Sequence, residues 1–379
     1  MIERSKYPYT SIDHPASSYI VIDLEWNQPI PWIKTTVDPK ELPGEIIEIG
    51  AVKLSLTEDG YALSKPFHVM IRPVCYTVMN KNVSKITNKM SADLRFGLSF
   101  SDAYDAFREW CGEDYVLCGW GNSDLSILKS NLRYHSWKSD LNTLFLDVQP
   151  LFAHVAEGRS NQRSVEYAVD FLRIPKKDDF HAAHRDAEYT GMILRELFFL
   201  LDIARATESE HPGVELQDPL LQEMKELRLM TYLQNPDLHA EASKKTDLYP
   251  SWEACYEDYP KQMEICPACQ KPMSCRLPWF RLKKSGFSLW SCEDHHLVQG
   301  RMRMKKTPDG KVYASVIVRL TDPGSSRLVS DRYEEFVEFG SQGRPVTPHP
   351  DAVEDNFVTA PDEGELQQPD PYHERILME

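Results

Sequence analysis

The chain has 379 residues, of which 41% are hydrophobic and 27% are charged, so a wholly disordered chain is excluded and two or three domains are expected. The formal net charge is −15. No apolar run approaches the roughly 20 residues that cross a bilayer, and no apolar signal segment follows Met1, so we expect a non-exported, cytoplasmic protein.

Strand and helix signals alternate through the first 200 or so residues. Three β-rich segments come first, and a turn at Asp59 and Gly60 separates the second from the third. The predicted strands cover residues 19–24, 45–54, 65–72, 115–120 and 144–148, and the predicted helices cover residues 101–110, 123–132, 164–172 and 185–201. This order predicts an α/β domain over residues 1–205, with a mixed sheet flanked by helices.

The second half of the chain has a different composition. Residues 206–262 are polar with helical spacing in places, and we expect a helical connector there. Residues 263–342 contain four of the eight cysteines and a clear strand at residues 312–320, which predicts a small β module. The proline-rich, acidic composition of residues 343–379 predicts a disordered tail.

Charge is segregated along this second half. Residues 351–379 contain nine acidic residues and one basic residue, whereas residues 266–320 contain eleven basic and three acidic ones. The β module could therefore bind a polyanion although the net charge of the chain is negative.

Two carboxylates interrupt the apolar first strand, at Asp23 and Glu25. Side chains two residues apart in a strand point to the same face, so both carboxylates are directed to one place. Burying unpaired carboxylates costs several kcal/mol, and a divalent cation is the compensating group that suits them best. For an isolated pair, an exposed strand end is the more common explanation.

Three further candidate residues lie far along the chain. Asp124 follows the fourth strand at the start of a helix, where it or Ser123 could simply cap that helix. His181 and Asp186 are five residues apart, so they can converge only if His181 precedes the helix that holds Asp186. An acidic residue in a first helical turn is also common because of the helix dipole.

Taken together, these five residues resemble, in order and spacing, the motifs of the DnaQ-like (DEDDh) 3′–5′ exonucleases. Residues 45–54 also resemble the second strand of that family, and the likeness spans about residues 17–200. Residues 120–124 and 144–149 look closest to the Eri-like and KapD-like branch, which is associated with trimming RNA 3′ ends. The resemblance implies an RNase H-like fold and hydrolysis of single-stranded nucleic acid, RNA more than DNA, from the 3′ end.

The resemblance also implies roles for the five residues. Asp23, Glu25, Asp124 and Asp186 would hold two Mg²⁺ or Mn²⁺ ions, which agrees with the preference of those ions for oxygen ligands. His181 would be the general base, because an imidazole titrates near neutral pH. The products would be 5′-mononucleotides.

Two neighbouring residues leave alternatives open. Trp26 stands where many members of the family have Thr or Ser, and its ring can stack on a terminal base or pack in the core. His184 is a rival general base, but on a helix it would point away from the site, and we expect a surface or packing role for it.

The cysteine pattern of the β module is typical of zinc. In a chain without an export signal, clustered cysteines favour metal binding over disulfides. Cys266 and Cys269 form a C-x-x-C, and Cys292 with His295 forms a matching pair, which together fit a structural zinc-ribbon site. Free buried cysteines are the alternative to this site. Cys275 or His296 could replace Cys292 or His295 in this ligand set.

Basic and aromatic residues are interleaved between the two ligand pairs. Basic groups neutralise phosphates and aromatic rings stack on unpaired bases, so we expect this module to contact nucleic acid. A small aromatic core surrounded by solvated basic residues is the alternative. The candidates for contact are Arg281, Lys283, Lys284 and Trp290, with Trp26 from the first domain.

Two other functions fit parts of the same pattern. A DNA proofreading or repair exonuclease would use the same chemistry, and a non-catalytic nucleic-acid-binding protein could keep the same fold. The presence of all four acids and the histidine speaks against the second. The sequence has no P-loop, dinucleotide-binding glycine motif or serine nucleophile elbow that would indicate an unrelated enzyme.

Overall fold

The computed structural model describes residues 14–58, 60–157, 162–176, 182–210, 218–238, 241–258, 265–283, 285–294 and 296–343. These residues divide into two compact units, with the boundary between Leu227 and Arg228. The segment predicted as a connector, residues 206–262, is thus shared between the two units. The predicted tail lies outside the described residues, apart from Gly343. In the part of the chain that is described, no helix is long and apolar enough to cross a membrane.

The first unit contains six strands and eight helices among its described residues. The strands are β1 (Ser18–Asn27), β2 (Glu45–Thr57), β3 (Gly60–Leu63), β4 (Phe67–Met70), β5 (Tyr115–Gly119) and β6 (Phe145–Asp147). The helices are α1 (Lys81–Thr87), α2 (Ser91–Leu94), α3 (Phe100–Cys111), α4 (Ser123–Tyr134), α5 (Val148–Glu157), α6 (Val165–Phe171), α7 (Ala183–Glu210) and α8 (Pro219–Glu226). The strand predicted over residues 65–72 corresponds to β4, and β3, which was not predicted, precedes it; both pair with β2.

The sheet of this unit is mixed, as the sequence predicts. Its order is β3-β2-β1-β5-β6, with β1 antiparallel to β2 and parallel to β5, and β5 parallel to β6. Ile20, Ile22 and Leu24 of β1 are buried in a core with residues of α3 and α4. This mixed sheet flanked by helices is the predicted RNase H-like fold, and it places the acidic end of β1 at the centre of the unit.

Helix α7 lies unusually close to β2. A Cβ atom on Gly50 of β2 would collide with the backbone of Ala183 and His184, at the first residues of α7. Gly50 is also the cross-strand partner of Asp23. The absence of a side chain at Gly50 therefore lets the beginning of α7 approach the middle of β1.

The second unit is built on an antiparallel sheet. Its strands are β7 (Leu233–Gln234), β8 (Glu241–Lys245), β9 (Ser274–Leu282), β10 (Ser285–Cys292), β11 (His296–Lys306) and β12 (Val312–Thr321), and its helices are α9 (Trp252–Asp258) and α10 (Pro323–Phe339). The order in the main sheet is β8-β12-β11-β10-β9. The strand predicted over residues 312–320 corresponds to β12.

Both faces of this sheet are covered by apolar side chains. One face carries the cluster that contains Cys266, Cys292, Trp279 and Trp290. The opposite face carries Phe280 and Phe287, together with Val329, Tyr333 and Phe336 of α10. Helix α10 was not predicted from the sequence, where residues 263–340 read as uniformly β-rich.

Candidate active site

Strand β1 presents Asp23 and Glu25 on the same face, as the alternation predicts. Glu25 lies opposite Glu48 of β2, and the pairing register shifts between Glu25 and Trp26. Such an irregularity increases the local twist of a strand and can redirect a side chain. Both carboxylates are partly exposed, so they face an accessible site.

Asp186 joins these two carboxylates from the first turns of α7. One oxygen from each of Asp23, Glu25 and Asp186 lies within 4.8 Å of the others, which is the spacing of ligands around a shared ion. The close packing of α7 on Gly50 explains this convergence. A helix dipole alone would not require Asp186 to point at two other acids.

Asp124 lies beside this group, in the first turn of α4. Its side chain is buried, and its Oδ1 accepts a hydrogen bond of 2.8 Å from the backbone N–H of Leu24 in β1. The N-cap residue of α4 is Asn122, and no side-chain hydrogen bond caps the helix there. Asp124 is thus tied to the acidic strand, and the capping alternative does not describe it.

The clustering changes the acidity of these groups. Burial, and then repulsion from Asp124, Asp186, Glu25 and Glu48, raises the pKa of Asp23 well above its usual range. Burial, followed by repulsion from Glu48, raises the pKa of Glu25 to about 8. A raised carboxyl pKa means that the ionised form is disfavoured. Without a bound cation, the negative charges of Asp23 and Glu25 are therefore destabilising.

Asp147 provides a contrast within the same unit. It is also buried, and burial raises its pKa to about 7. However, its Oδ1 accepts hydrogen bonds from the backbone N–H groups of Gly121, at 2.9 Å, and Gln149, at 3.1 Å. Two backbone N–H groups thus stabilise the buried carboxylate of Asp147. Asp23 and Glu25 instead have other acids among their neighbours.

Glu48 is a member of the neighbourhood that sequence reasoning missed. Its carboxylate is 1% exposed and forms ion pairs with Lys89 and with His68, whose Nε2 lies 2.9 Å from Oε1. Burial raises its pKa, but the hydrogen bonds from His68 and Lys89 outweigh that effect and the net pKa is lowered. The available signal was an acid inside the apolar segment of β2, the same anomaly that identified Asp23 and Glu25.

The two histidine candidates differ in what the structure describes. His181, the predicted general base, lies outside the described residues. His184 is directed at Glu48, with Nδ1 3.7 Å from Oε1, and its ring packs against His68 at a centroid distance of 4.6 Å. His184 thus belongs to the Glu48 neighbourhood on β2 and β4.

Trp26 is partly buried and packs against the core of the first unit. A Cβ atom on Gly44 would collide with the Trp26 ring, so the two residues are in close contact. Packing accounts for most of the ring, and an exposed part remains.

The predicted zinc ligands Cys266, Cys269 and Cys292 come together in the second unit. Their sulfur atoms lie within 4.8 Å of one another, and the sulfurs of Cys269 and Cys292 are 3.6 Å apart. Cys275, an alternative ligand, is exposed and is not in this group. His295 lies outside the described residues, as does the side chain of His296.

The predicted nucleic-acid contacts of the second unit do not all face solvent. Trp290 is 6% exposed, lies in the apolar core and donates a hydrogen bond of 2.8 Å to Ser288 Oγ. The prediction that Trp290 stacks on a base is therefore wrong, because the alternation of side chains along β10 turns its ring toward the core. Arg281 is partly buried and Lys283 is exposed in the turn between β9 and β10, while Lys284 lies outside the described residues.

The donor chemistry of the two clusters is different. The carboxylates of the first unit are hard oxygen donors, which suit Mg²⁺ or Mn²⁺. The three thiols of the second unit are soft donors at a spacing that suits Zn²⁺. The raised pKa values of Asp23 and Glu25 fit a site at which bound cations would balance the negative charge.

The segment that contains the first cluster matches a known protein family. Residues 20–194, which include every acid described above for the first unit, match the family model RNase_T, described as "Exonuclease". No curated protein matches the chain. The second unit lies outside the matched residues.

Several solved nuclease structures are similar to this chain. The nuclease domain of 3′hExo, a DEDDh family member bound to rAMP, is 14% identical with a TM-score of 0.41, and the match covers 55% of this chain and 99% of that domain. The cell-death related nuclease CRN-4 is 16% identical with a TM-score of 0.39, and the match covers 48% of this chain and 64% of that one. Exonuclease I of E. coli with a dA16 oligonucleotide is 12% identical with a TM-score of 0.34, with coverages of 52% and 41%. At these scores the similarities carry no functional argument.

Proposed function

We propose that this chain, whose residues 20–194 match the RNase_T exonuclease family model, is a metal-dependent 3′–5′ exonuclease that acts on single-stranded nucleic acid, RNA in preference to DNA. The observation that carries the proposal is the convergence of Asp23, Glu25 and Asp186, with Asp124 beside them. Asp124 and Asp186 raise the pKa values of Asp23 and Glu25, so bringing the four acids together is costly unless cations bind them.

The four acids would together bind two cations. Asp23, Glu25 and Asp186 would hold one Mg²⁺ or Mn²⁺ ion, and Asp23 and Asp124 would hold a second. Two such ions neutralise charge on the scissile phosphate, lower the pKa of water and stabilise the leaving oxygen. The hydrogen bond from Leu24 fixes one oxygen of Asp124, which limits the orientations available to that carboxylate.

Proton transfer is assigned to His181. The resemblance to DEDDh enzymes supports this role, and a neutral imidazole is able to accept a proton from water near pH 7. Attack on the phosphorus opposite the 3′-oxygen of the preceding nucleotide releases a 5′-mononucleotide. His184 is committed to Glu48 and is not needed for this step.

The second unit supports the substrate in this proposal. Cys266, Cys269 and Cys292, with His295, would hold a structural Zn²⁺ that fixes the end of the sheet. The basic residues Arg281, Lys283 and Lys284 would contact phosphates of the strand.

A gel assay tests the proposal. Matched 5′-labelled RNA and DNA single strands are incubated with the full chain in Mg²⁺, Mn²⁺ or EDTA. We expect a one-nucleotide ladder that shortens from the 3′ end, faster on RNA, and absent in EDTA. Binding without shortening in every condition would instead identify a non-catalytic binding protein, and faster shortening of DNA would contradict the substrate assignment.

A further inference from the structure

A second group of metal-ligating side chains lies next to the four acids. It consists of Glu48 on β2, His68 on β4 and His184 on α7. One donor atom from each residue lies within 4.8 Å of the others. Unlike the acidic site, this group combines two imidazole nitrogens with a single carboxylate.

Two distances in this group are close to those of a tetrahedral metal site. Two ligands at the Zn–N and Zn–O distances of about 2.0–2.1 Å are about 3.3 Å apart around a tetrahedral ion. Glu48 Oε1 lies 2.9 Å from His68 Nε2 and 3.7 Å from His184 Nδ1, on either side of that value. Since all three donors lie within 4.8 Å of one another, side-chain adjustment would bring them onto one ion.

The placement of the donor atoms also suits a metal. His184 Nδ1 is buried and lies 3.7 Å from Glu48 Oε1. An imidazole nitrogen held beside a carboxylate oxygen directs two donor atoms at one place.

Lys89 determines which metal this group would prefer. It forms an ion pair with Oε2 of Glu48, so it fixes the carboxylate while Oε1 faces the two histidines. The ammonium group also cancels much of the carboxylate charge. Mg²⁺, which depends on charged oxygen ligands, is disfavoured there, whereas Zn²⁺ gains from two imidazole nitrogens.

We propose that Glu48, His68 and His184 form a further metal site, selective for Zn²⁺ over Mg²⁺ and separate from the carboxylate site. His68 is 41% exposed, which gives an ion access from solvent. Because Glu48 lies opposite Glu25 across the strand pair, Zn²⁺ at this site would repel the cations held by Asp23 and Glu25. Zinc is therefore expected to inhibit the nuclease, and this consequence alone rests on the proposed function.

The binding test uses the full chain purified with its cysteine zinc in place and kept in excess Mg²⁺. Titration calorimetry with ZnCl₂ should show one additional site in the wild type. In His68→Ala and in His184→Ala the zinc affinity should fall at least tenfold, which is the low end of losses seen even for residues that only support a ligand. The site should persist in Asp23→Asn and in His154→Ala, a histidine of α5.

Two outcomes would overturn the site. The first is a wild-type chain that takes up no zinc beyond the cysteine site, and the second is a zinc affinity that is unchanged in both His68→Ala and His184→Ala. A loss of zinc in Asp23→Asn would also overturn it, since the ion would then belong to the carboxylates.

The inhibition test separates this site from the proposed function. With active enzyme, half inhibition should need at least about tenfold more zinc in His68→Ala than in the wild type, with each rate expressed relative to the same protein without zinc. Equal inhibition of both would refute the coupling. If no exonuclease activity is found on any strand, the proposed function fails, while the calorimetric result still decides the metal site.

Discussion

The carboxylates of the first unit and the thiols of the second are both sets of like ligands that folding brings together, but their surroundings differ. Asp23, Glu25 and Asp186 are all partly exposed, and Asp186 is more than 150 residues from the other two in the sequence. Cys266 and Cys292 are almost fully buried and lie within one short segment.

This difference separates catalysis from stability. An accessible cluster leaves room for a substrate phosphate but keeps the repulsion between its charges, which opposes folding when no cation is bound. In the thiol cluster only Cys269 is partly exposed, which leaves little room for substrate, so a metal there would act on the fold. Substitutions in the two clusters should therefore have opposite effects on activity and on stability.

Asp23→Asn should give the largest effect on activity. We expect the exonuclease rate to fall by about 10³-fold, because a cation ligand shared by both ions is lost. In EDTA the unfolding midpoint should stay equal or rise, because neutralising Asp23 removes repulsion from Asp124, Asp186, Glu25 and Glu48. Gel assays and thermal unfolding measure the two quantities.

Asp170→Asn is the matched control for this substitution. Asp170 is an exposed acid of α6 that pairs with Lys176, and both rate and midpoint should be unaffected. An Asp23→Asn rate within tenfold of the wild type would show that the acidic cluster is not the active site.

His181→Ala should lower the rate by about 10²-fold or more, the range expected for loss of a general base. The acidic limb of the pH–rate profile, near the usual imidazole pKa of about 6.5, should disappear in the variant. Substrate affinity should be preserved, and His154→Ala is the control histidine. An unchanged rate and profile would transfer the role of base to another group.

Cys266→Ser should affect stability rather than activity. We expect loss of zinc and a lower free energy of unfolding, because the binding free energy of a structural metal contributes to folding, with the rate on short oligomers unchanged. Cys275→Ser, at an exposed cysteine outside the cluster, should keep full zinc and full stability. Full zinc in Cys266→Ser would remove Cys266 from the ligand set.

The pH dependence of stability should give the smallest effect. The pKa of Glu25 is about 8 in the folded chain, against 4.5 for the free side chain, so between these values the folded state binds the extra proton. The contribution of Glu25 to stability in EDTA is therefore fully present below pH 4.5 and should be lost as the pH rises through about 8. Excess Mg²⁺ should flatten this slope, and a metal-free stability that rises over the same range would contradict the assigned repulsion.

The sequence predicts the acidic site well where simple periodicity controls it. Alternation along β1 correctly puts Asp23 and Glu25 on one face. The approach of Asp186 could only be inferred through the family resemblance, because it depends on the close contact between Gly50 and the beginning of α7.

Other features needed the three-dimensional structure. Glu48 was read only as part of a strand, although its position in an apolar segment was a signal, and its partners Lys89 and His68 have no fixed spacing from it. In β10, the aromatic and basic pattern was read as a binding surface, but alternation buries Trp290 in the core. The covering helix α10 was missed, although Asp322 and Pro323 at its beginning are a sequence signal for the start of a helix.

Anomalous diffraction from crystals soaked in MnCl₂ tests the central claim most directly. The account predicts a manganese peak coordinated by oxygens of Asp23, Glu25 and Asp186, with a second peak near Asp23 and Asp124, and neither peak in Asp23→Asn. Saturating manganese with no peak among these carboxylates would contradict it, because the four acids would then be held together without the cations that their mutual repulsion requires.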